Sequence, residues 1–167
     1  DAGPIADVEK VVVGPLDTAL DVEARLAAAC VPLFARALPS LLRGELPVRE
    51  QDESAATHCR KLTKEDGVLD FSAPAGSLAA RVNGLFPWPC CSVEIAGQPV
   101  KVGLADAAAA GADSPVPGTV LGADPEGLLV AAGQGVLRLR RLQRPGGRML
   151  PAVEFLRGFP VPAGSVL

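Results

Sequence analysis

Residues 71–92 read Phe-Ser-Ala-Pro-Ala-Gly-Ser-Leu-Ala-Ala-Arg-Val-Asn-Gly-Leu-Phe-Pro-Trp-Pro-Cys-Cys-Ser, and the rest of the chain divides around them. Leu78, Val82 and Leu85 recur at helical spacing, which predicts a short amphipathic helix over 74–85. Phe86-Pro87-Trp88-Pro89 then stops it, because each proline lacks an N–H and pushes its predecessor out of the α region. Trp88, the only tryptophan, is expected to pack with Phe86 inside this corner. Upstream the pattern is helix and linker; downstream it is short strands separated by glycine turns.

The wider composition suits a packed domain. The chain has 167 residues, nearly half of them apolar, enough for one ordinary core or a small domain carrying a piece of another. Its 18 glycines and 16 prolines forecast many turns without reaching a low-complexity level. No apolar run is expected to approach the roughly 18 residues of a membrane span, and no charged-then-apolar leader is evident. A soluble, cytoplasmic protein with no membrane partner is therefore expected. The four cysteines, Cys30, Cys59, Cys90 and Cys91, form no C-x-x-C, and His58 is the only histidine, so free thiols and no metal site are expected. The first residue is Asp1 and the only methionine is Met149, from which a cut, trimmed or processed chain is expected. Charge is divided: residues 1–70 carry 13 acids and 8 bases, whereas residues 71–167 carry 6 acids and 8 bases. The basic bias of the second half hints at an anionic partner.

Asp7–Val13 has the β-branched content of a strand. Thr18 with Asp21 opens a helix whose apolar face runs through Leu26, Cys30, Leu33, Phe34, Ala37, Leu38 and Leu41 to a stop at Arg43-Gly44, with Pro32 and Pro39 expected to disturb it. Residues 45–66 are polar and charged, an extended connection. Val68–Phe71 is a possible short strand. Five further strands are expected at 92–96, 98–104, 118–122, 127–132 and 135–142, with turns at Gly97-Gln98, Asp124-Pro125-Glu126-Gly127 and Gly133-Gln134-Gly135. Five short strands in so few residues suggest a small OB-like β-barrel. Pro151–Gly158 closes the chain with a short helix.

Several segments occur in a familiar order: Gln51-Asp52-Glu53-Ser54, Lys61-Leu62-Thr63-Lys64-Glu65-Asp66, Asp70-Phe71-Ser72, Phe86-Pro87-Trp88-Pro89, Pro99-Val100-Lys101-Val102, Pro117-Gly118-Thr119-Val120 and Gly135-Val136-Leu137 followed by Leu142-Gln143. Together they resemble the linker and C-terminal domain of the methionyl-tRNA formyltransferase family. Cys90 and Cys91 depart from it, standing where the family pattern has Gly and a small residue. The resemblance implies an α+β fold, with a helical linker and an OB-like barrel preceded by the end of a Rossmann-like formyltransferase domain. It divides the chain into 1–50 (catalytic-domain remnant, strand plus long helix), 51–73 (linker) and 74–167 (tRNA-binding barrel). It further implies 10-formyltetrahydrofolate as co-substrate of the full-length enzyme, none bound by this part alone, and initiator methionyl-tRNA as partner. Asp1-Ala2-Gly3-Pro4-Ile5 matches the family's Asp-x-Gly motif, so Asp1 would be the catalytic aspartate, inactive without its Asn and His partners. The helix at 18–43 would need cover from the barrel, from a second copy or from a missing N-terminal domain.

Arg138, Arg140, Arg141, Arg144 and Arg148 crowd one hairpin and its loop, and with Lys61, Lys64 and Lys101 could line a groove for RNA phosphates. Strand alternation puts Arg138 and Arg140 on one face and Arg141 on the other. Charge runs are more often simply solvated; the family resemblance favours backbone contact with a folded RNA. With Trp88 and Phe86 expected inside the corner and no tyrosine, stacking on bases has little support from the sequence. Two alternatives stay open: a stand-alone OB-like module binding RNA or protein, and a fragment of a sibling folate-dependent formyltransferase.

Overall fold

A computed structural model describes residues 3–109 and 115–167. Asp1, the expected catalytic aspartate, lies outside the described residues. The chain separates into two compact units, one of residues 1–13 and 21–61, the other of residues 14–20 and 62–167.

The first unit holds most of helix α1 (Ala19–Leu42) and a short 3-10 turn at Glu53–Ala55. The strand expected over Asp7–Val13 does not form; Ile5 alone pairs, exchanging backbone hydrogen bonds of 2.8 and 2.9 Å with Arg49. A β-branched run becomes a strand only beside another, and Val12 stands 81% exposed with none. Arg36 of α1 ties this segment down through Asp7 at 3.1 Å and Glu9 at 2.8 Å. Helix α1 runs unbroken through Pro32 and Pro39, and none of its residues is buried. Its apolar stretch is longer than the sequence reading allowed. By length and composition alone it could cross a membrane, a test that the core helix of a soluble protein also passes. Phe34, Leu41 and Leu42 on this helix are exposed.

The second unit contains a 3-10 turn at Lys64–Gly67, helix α2 (Ala75–Leu85), strands β1 (Cys91–Ile95), β2 (Gln98–Ala108), β3 (Val120–Ala123), β4 (Leu128–Ala131), β5 (Val136–Gln143) and β6 (Leu150–Pro151), and helix α3 (Ala152–Gly158). The strands form one antiparallel sheet in the order β1-β2-β5-β4-β3, with β6 added to β5. The sheet curls into a half-barrel. The chain's last residues extend its edge, Thr119 bridging Val166. Hairpin β1–β2 turns at Ala96-Gly97, one residue earlier than the sequence suggested, with both residues at positive φ (50° and 73°) as a tight two-residue hairpin requires. Val68 makes only an isolated bridge to Ser92.

One core fills this unit. Leu78, Val82 and Leu85 of α2 pack with Val100, Val102, Leu137, Leu139 and Leu142 of the sheet and with Ala152 and Phe155 of α3. Asn83 is the polar member, 3% exposed. Its side chain accepts from the Ala105 N–H at 2.9 Å and donates to the carbonyls of Ala105 at 2.9 Å and Pro15 at 3.2 Å. A buried amide with its hydrogen bonds made locks α2 to β2 in one register.

Candidate nucleic-acid interface

The basic strand β5 carries two kinds of arginine. Asp106 sits directly opposite Arg138 across the β2–β5 ladder, and the β3–β4 turn brings Asp124 and Glu126 to the same place. Arg138 contacts Asp106 at 3.3 Å, Asp124 at 3.0 Å, and Glu126; Arg140 contacts Asp106 at 3.2 Å and Glu126 at 3.0 Å. Two cations thus meet three carboxylates. The turn itself is built by Asp124, whose carboxylate accepts from the N–H groups of Glu126 and Gly127 at 2.8 Å each. Burial pushes the Asp124 carboxyl up, but those N–H groups and the two arginines outweigh it and leave it below the usual range. Gly127 is required here, since a Cβ would lie 2.6 Å from the Leu139 carbonyl oxygen.

Four other cations expected at the RNA are free of ion pairs. Lys101, Arg141, Arg144 and Arg148 are exposed, and among the described residues none of them forms an ion pair. The alternation expected along β5 fails at Arg141. The β2–β5 register shifts twice, between Val102 and Leu104 and between Leu104 and Ala105. Leu139 and Leu142, three residues apart, are both fully buried, so Arg140 and Arg141 between them are both kept out of the core. Lys101 pairs with Gln143 and Leu104 with Arg141 in the same ladder, which places these two cations at one end of β5. Beyond it, Gly147 donates to the Arg144 carbonyl at 3.0 Å and Gln143 to the Gly147 carbonyl at 2.7 Å, folding the Arg144–Arg148 loop back on the strand. Arg144 also lies 5.6 Å from the Phe159 ring centre. Arg157, in the last turn of α3, is an exposed cation the sequence reading passed over. Lys64 opens the second 3-10 turn, exposed, and Lys61 is exposed in the first unit.

The corner at 86–89 is not packed as expected. Trp88 is 59% exposed. Both the Phe86–Pro87 and Trp88–Pro89 bonds are cis. Phe86 does pack: its ring and the Met149 side chain both crowd Gly103, where a Cβ would meet them at 3.2 and 2.7 Å. Cys90 then takes φ 68°, the left-handed conformation that favours glycine. Its carbonyl presses on Gly67, whose Cβ would approach it to 2.3 Å. The departure from the family pattern therefore falls where the backbone wants glycine. All four cysteines are free, Cys30 and Cys59 exposed, Cys90 and Cys91 buried. Burial raises both buried thiols, that of Cys91 to about 11.

Comparison with known proteins identifies the family of this domain. The family described as formyl transferase, C-terminal domain, matches residues 61–160, which contain the whole sheet and all four free cations. The methionyl-tRNA formyltransferase of Burkholderia ambifaria is 40% identical over 99% of this chain, and that of Aromatoleum aromaticum likewise. The chain spans about half the length of these curated relatives. Among solved structures, HypX from Aquifex aeolicus in complex with tetrahydrofolic acid superposes with a TM-score of 0.68 at 18% identity, over 93% of this chain and 27% of that one, a likeness of fold. With the family match covering most of the chain and the identity running along nearly all of it, the chain belongs to the formyl transferase C-terminal domain family.

Proposed function

We propose that this chain is the C-terminal part of a methionyl-tRNA formyltransferase and contributes the surface that holds initiator methionyl-tRNA. The observation that carries this is the 40% identity along 99% of the chain to enzymes of that name. In the full-length enzyme the formyl group of 10-formyltetrahydrofolate would pass to the methionyl amino group. Residues 1–50 would be the end of a Rossmann-like catalytic domain, 51–73 the linker and 74–167 an OB-like tRNA-binding domain. The extended stretches and 3-10 turns of 51–73 support the middle assignment. The exposed apolar residues of α1 would be covered by the rest of the catalytic domain. Asp1 would orient and charge a histidine from the other half, which with an asparagine would stabilise the tetrahedral oxyanion at the formyl carbon. This chain alone would not catalyse the transfer, and it would act in the cytoplasm.

Of the cations expected at the RNA, Lys101, Arg141, Arg144 and Arg148 would meet phosphates, a reading supported by their exposure and their lack of ion pairs among the described residues, and Lys61 and Lys64 would add contacts from the linker. Arg138 and Arg140 would shape the strand and contact no phosphate, because their charge is consumed by Asp106, Asp124 and Glu126. About three to five phosphate contacts among these cations predict a log–log salt slope of about −2 to −4 by counterion release. The test is binding of labelled initiator tRNA by the chain across a salt series, together with a formylation assay of the chain with and without a separately made N-terminal half. Salt-dependent binding, with activity only in the mixture, is expected; salt-independent binding, or transfer by the chain alone, would overturn the proposal.

A further inference from the structure

We infer that Trp88 is a stacking contact for an unpaired nucleotide of the bound RNA, an inference that rests on the tRNA-binding reading above. Trp88 is the exposed aromatic of the second unit, 59% accessible, whereas Phe71, Phe86, Phe155 and Phe159 of that unit are buried or half-buried. Nothing in the packing requires an indole there: the core of the unit closes beneath the corner without it. Its neighbours Pro87 and Pro89 restrict the backbone on both sides, so little chain entropy is lost when the ring is pressed against a ligand.

The surroundings select the ligand. Phe86, two residues before Trp88, shares Gly103 with Met149, which brings the corner against the residue that follows Arg148. On its other side the Cys90 thiol reaches the Val102 carbonyl at 3.5 Å, one residue from Lys101. The corner that presents the indole is thus tied to β2 and to the residue after Arg148, segments that carry Lys101 and Arg148, both exposed and without an ion pair among the described residues. An aromatic face beside free cations is the combination that holds unstacked nucleotides, the ring taking the base and the cations the flanking phosphates. A docking face for protein of the same size would gain from apolar neighbours, whereas the segments tied to this corner carry the exposed Lys101 and Arg148.

The chain has one tryptophan and no tyrosine, so its indole emission reports on this residue alone. Titration with initiator tRNA, corrected for absorption by the RNA, is expected to quench that emission in step with binding measured by anisotropy of labelled tRNA, and to reduce acrylamide access severalfold. Heparin, a polyanion without bases, is expected to occupy the cations and leave the emission unchanged. Trp88→Ala should weaken tRNA binding about tenfold, the size of one lost base stack, with the salt slope unaltered; Trp88→Phe should retain most of the affinity. Binding with unchanged emission and acrylamide access, equal quenching by heparin, or a Trp88→Ala affinity equal to wild type would each overturn this inference alone. An indole already closed to acrylamide in a longer protein carrying this chain would assign it to an intramolecular contact and overturn it as well. Absence of any tRNA binding would instead remove the functional reading beneath it.

Discussion

Replacing Arg138 or Arg141 by alanine separates structural from ligand-facing charge on one strand. Arg138 is only 16% exposed in its side chain and contacts three carboxylates, of which Asp106 is 22% exposed. Removing it leaves Asp106, Asp124 and Glu126 facing Arg140 alone. Breaking a fully buried pair costs about 3–5 kcal/mol and an exposed one about 0–1, so this partly shielded cluster should lose about 2 kcal/mol. For a domain of this size that lowers the melting temperature by about 4–8 °C. Arg141 is exposed and makes no ion pair, so Arg141→Ala should change stability by less than about 0.5 kcal/mol. Its effect should fall on tRNA binding, where the salt slope should drop by about 0.7–0.9, one phosphate contact. Urea denaturation followed by circular dichroism gives the first quantity, and anisotropy of labelled tRNA across a salt series the second. The expected outcome is a crossed pattern: Arg138→Ala loses stability and keeps the slope, Arg141→Ala does the reverse. An Arg138→Ala protein of wild-type stability with a reduced slope would refute the division of β5 into paired and free arginines.

Other substitutions probe the packing that presents these groups. Cys90→Gly should be more stable than Cys90→Ala by about 1 kcal/mol, inverting the usual order, because only glycine relieves the left-handed backbone at φ 68°; paired urea curves decide it. Gly133→Ala should destabilise by about 3 kcal/mol or more, since its Cβ would stand 1.7 Å from the Ser72 carbonyl oxygen and force apart the 2.7 Å hydrogen bond from Gly133 to Phe71. A native-like melting curve for that variant would count against the close approach of the two turns. In native buffer at mildly alkaline pH a thiol reagent should label Cys30 and Cys59 quickly and Cys90 and Cys91 only after denaturation. Because burial raises the Cys91 thiol to about 11, its contribution to stability is complete below the unfolded thiol value and is lost as pH rises through about 11, which a pH series of urea midpoints would record.

Much of the architecture was legible because it depends on local chemistry. Helix α2 came from the spacing of Leu78, Val82 and Leu85, its end from Pro87 and Pro89, and the β3–β4 turn from Asp124-Pro125-Glu126-Gly127, each a decision made within a few residues. The strand expected at 7–13 failed for the opposite reason, since a strand is stabilised by its neighbour and propensity alone supplies none. The site was harder. That Arg138 would face Asp106 depends on a register between residues 32 apart, and that Arg141 would leave its expected face depends on two register shifts no alternation rule contains.

The sequence by itself determined the family, the helices, five of the sheet's six strands and the pool of basic residues, because periodicity, turn chemistry and motif order are properties of the chain read along its length. Only the tertiary structure decided which of those cations remain available and which are neutralised, and that Trp88 lies open while Phe86 is packed. Charge and exposure depend on which distant groups come within a few ångströms, and that distance is set by the sheet register and the core.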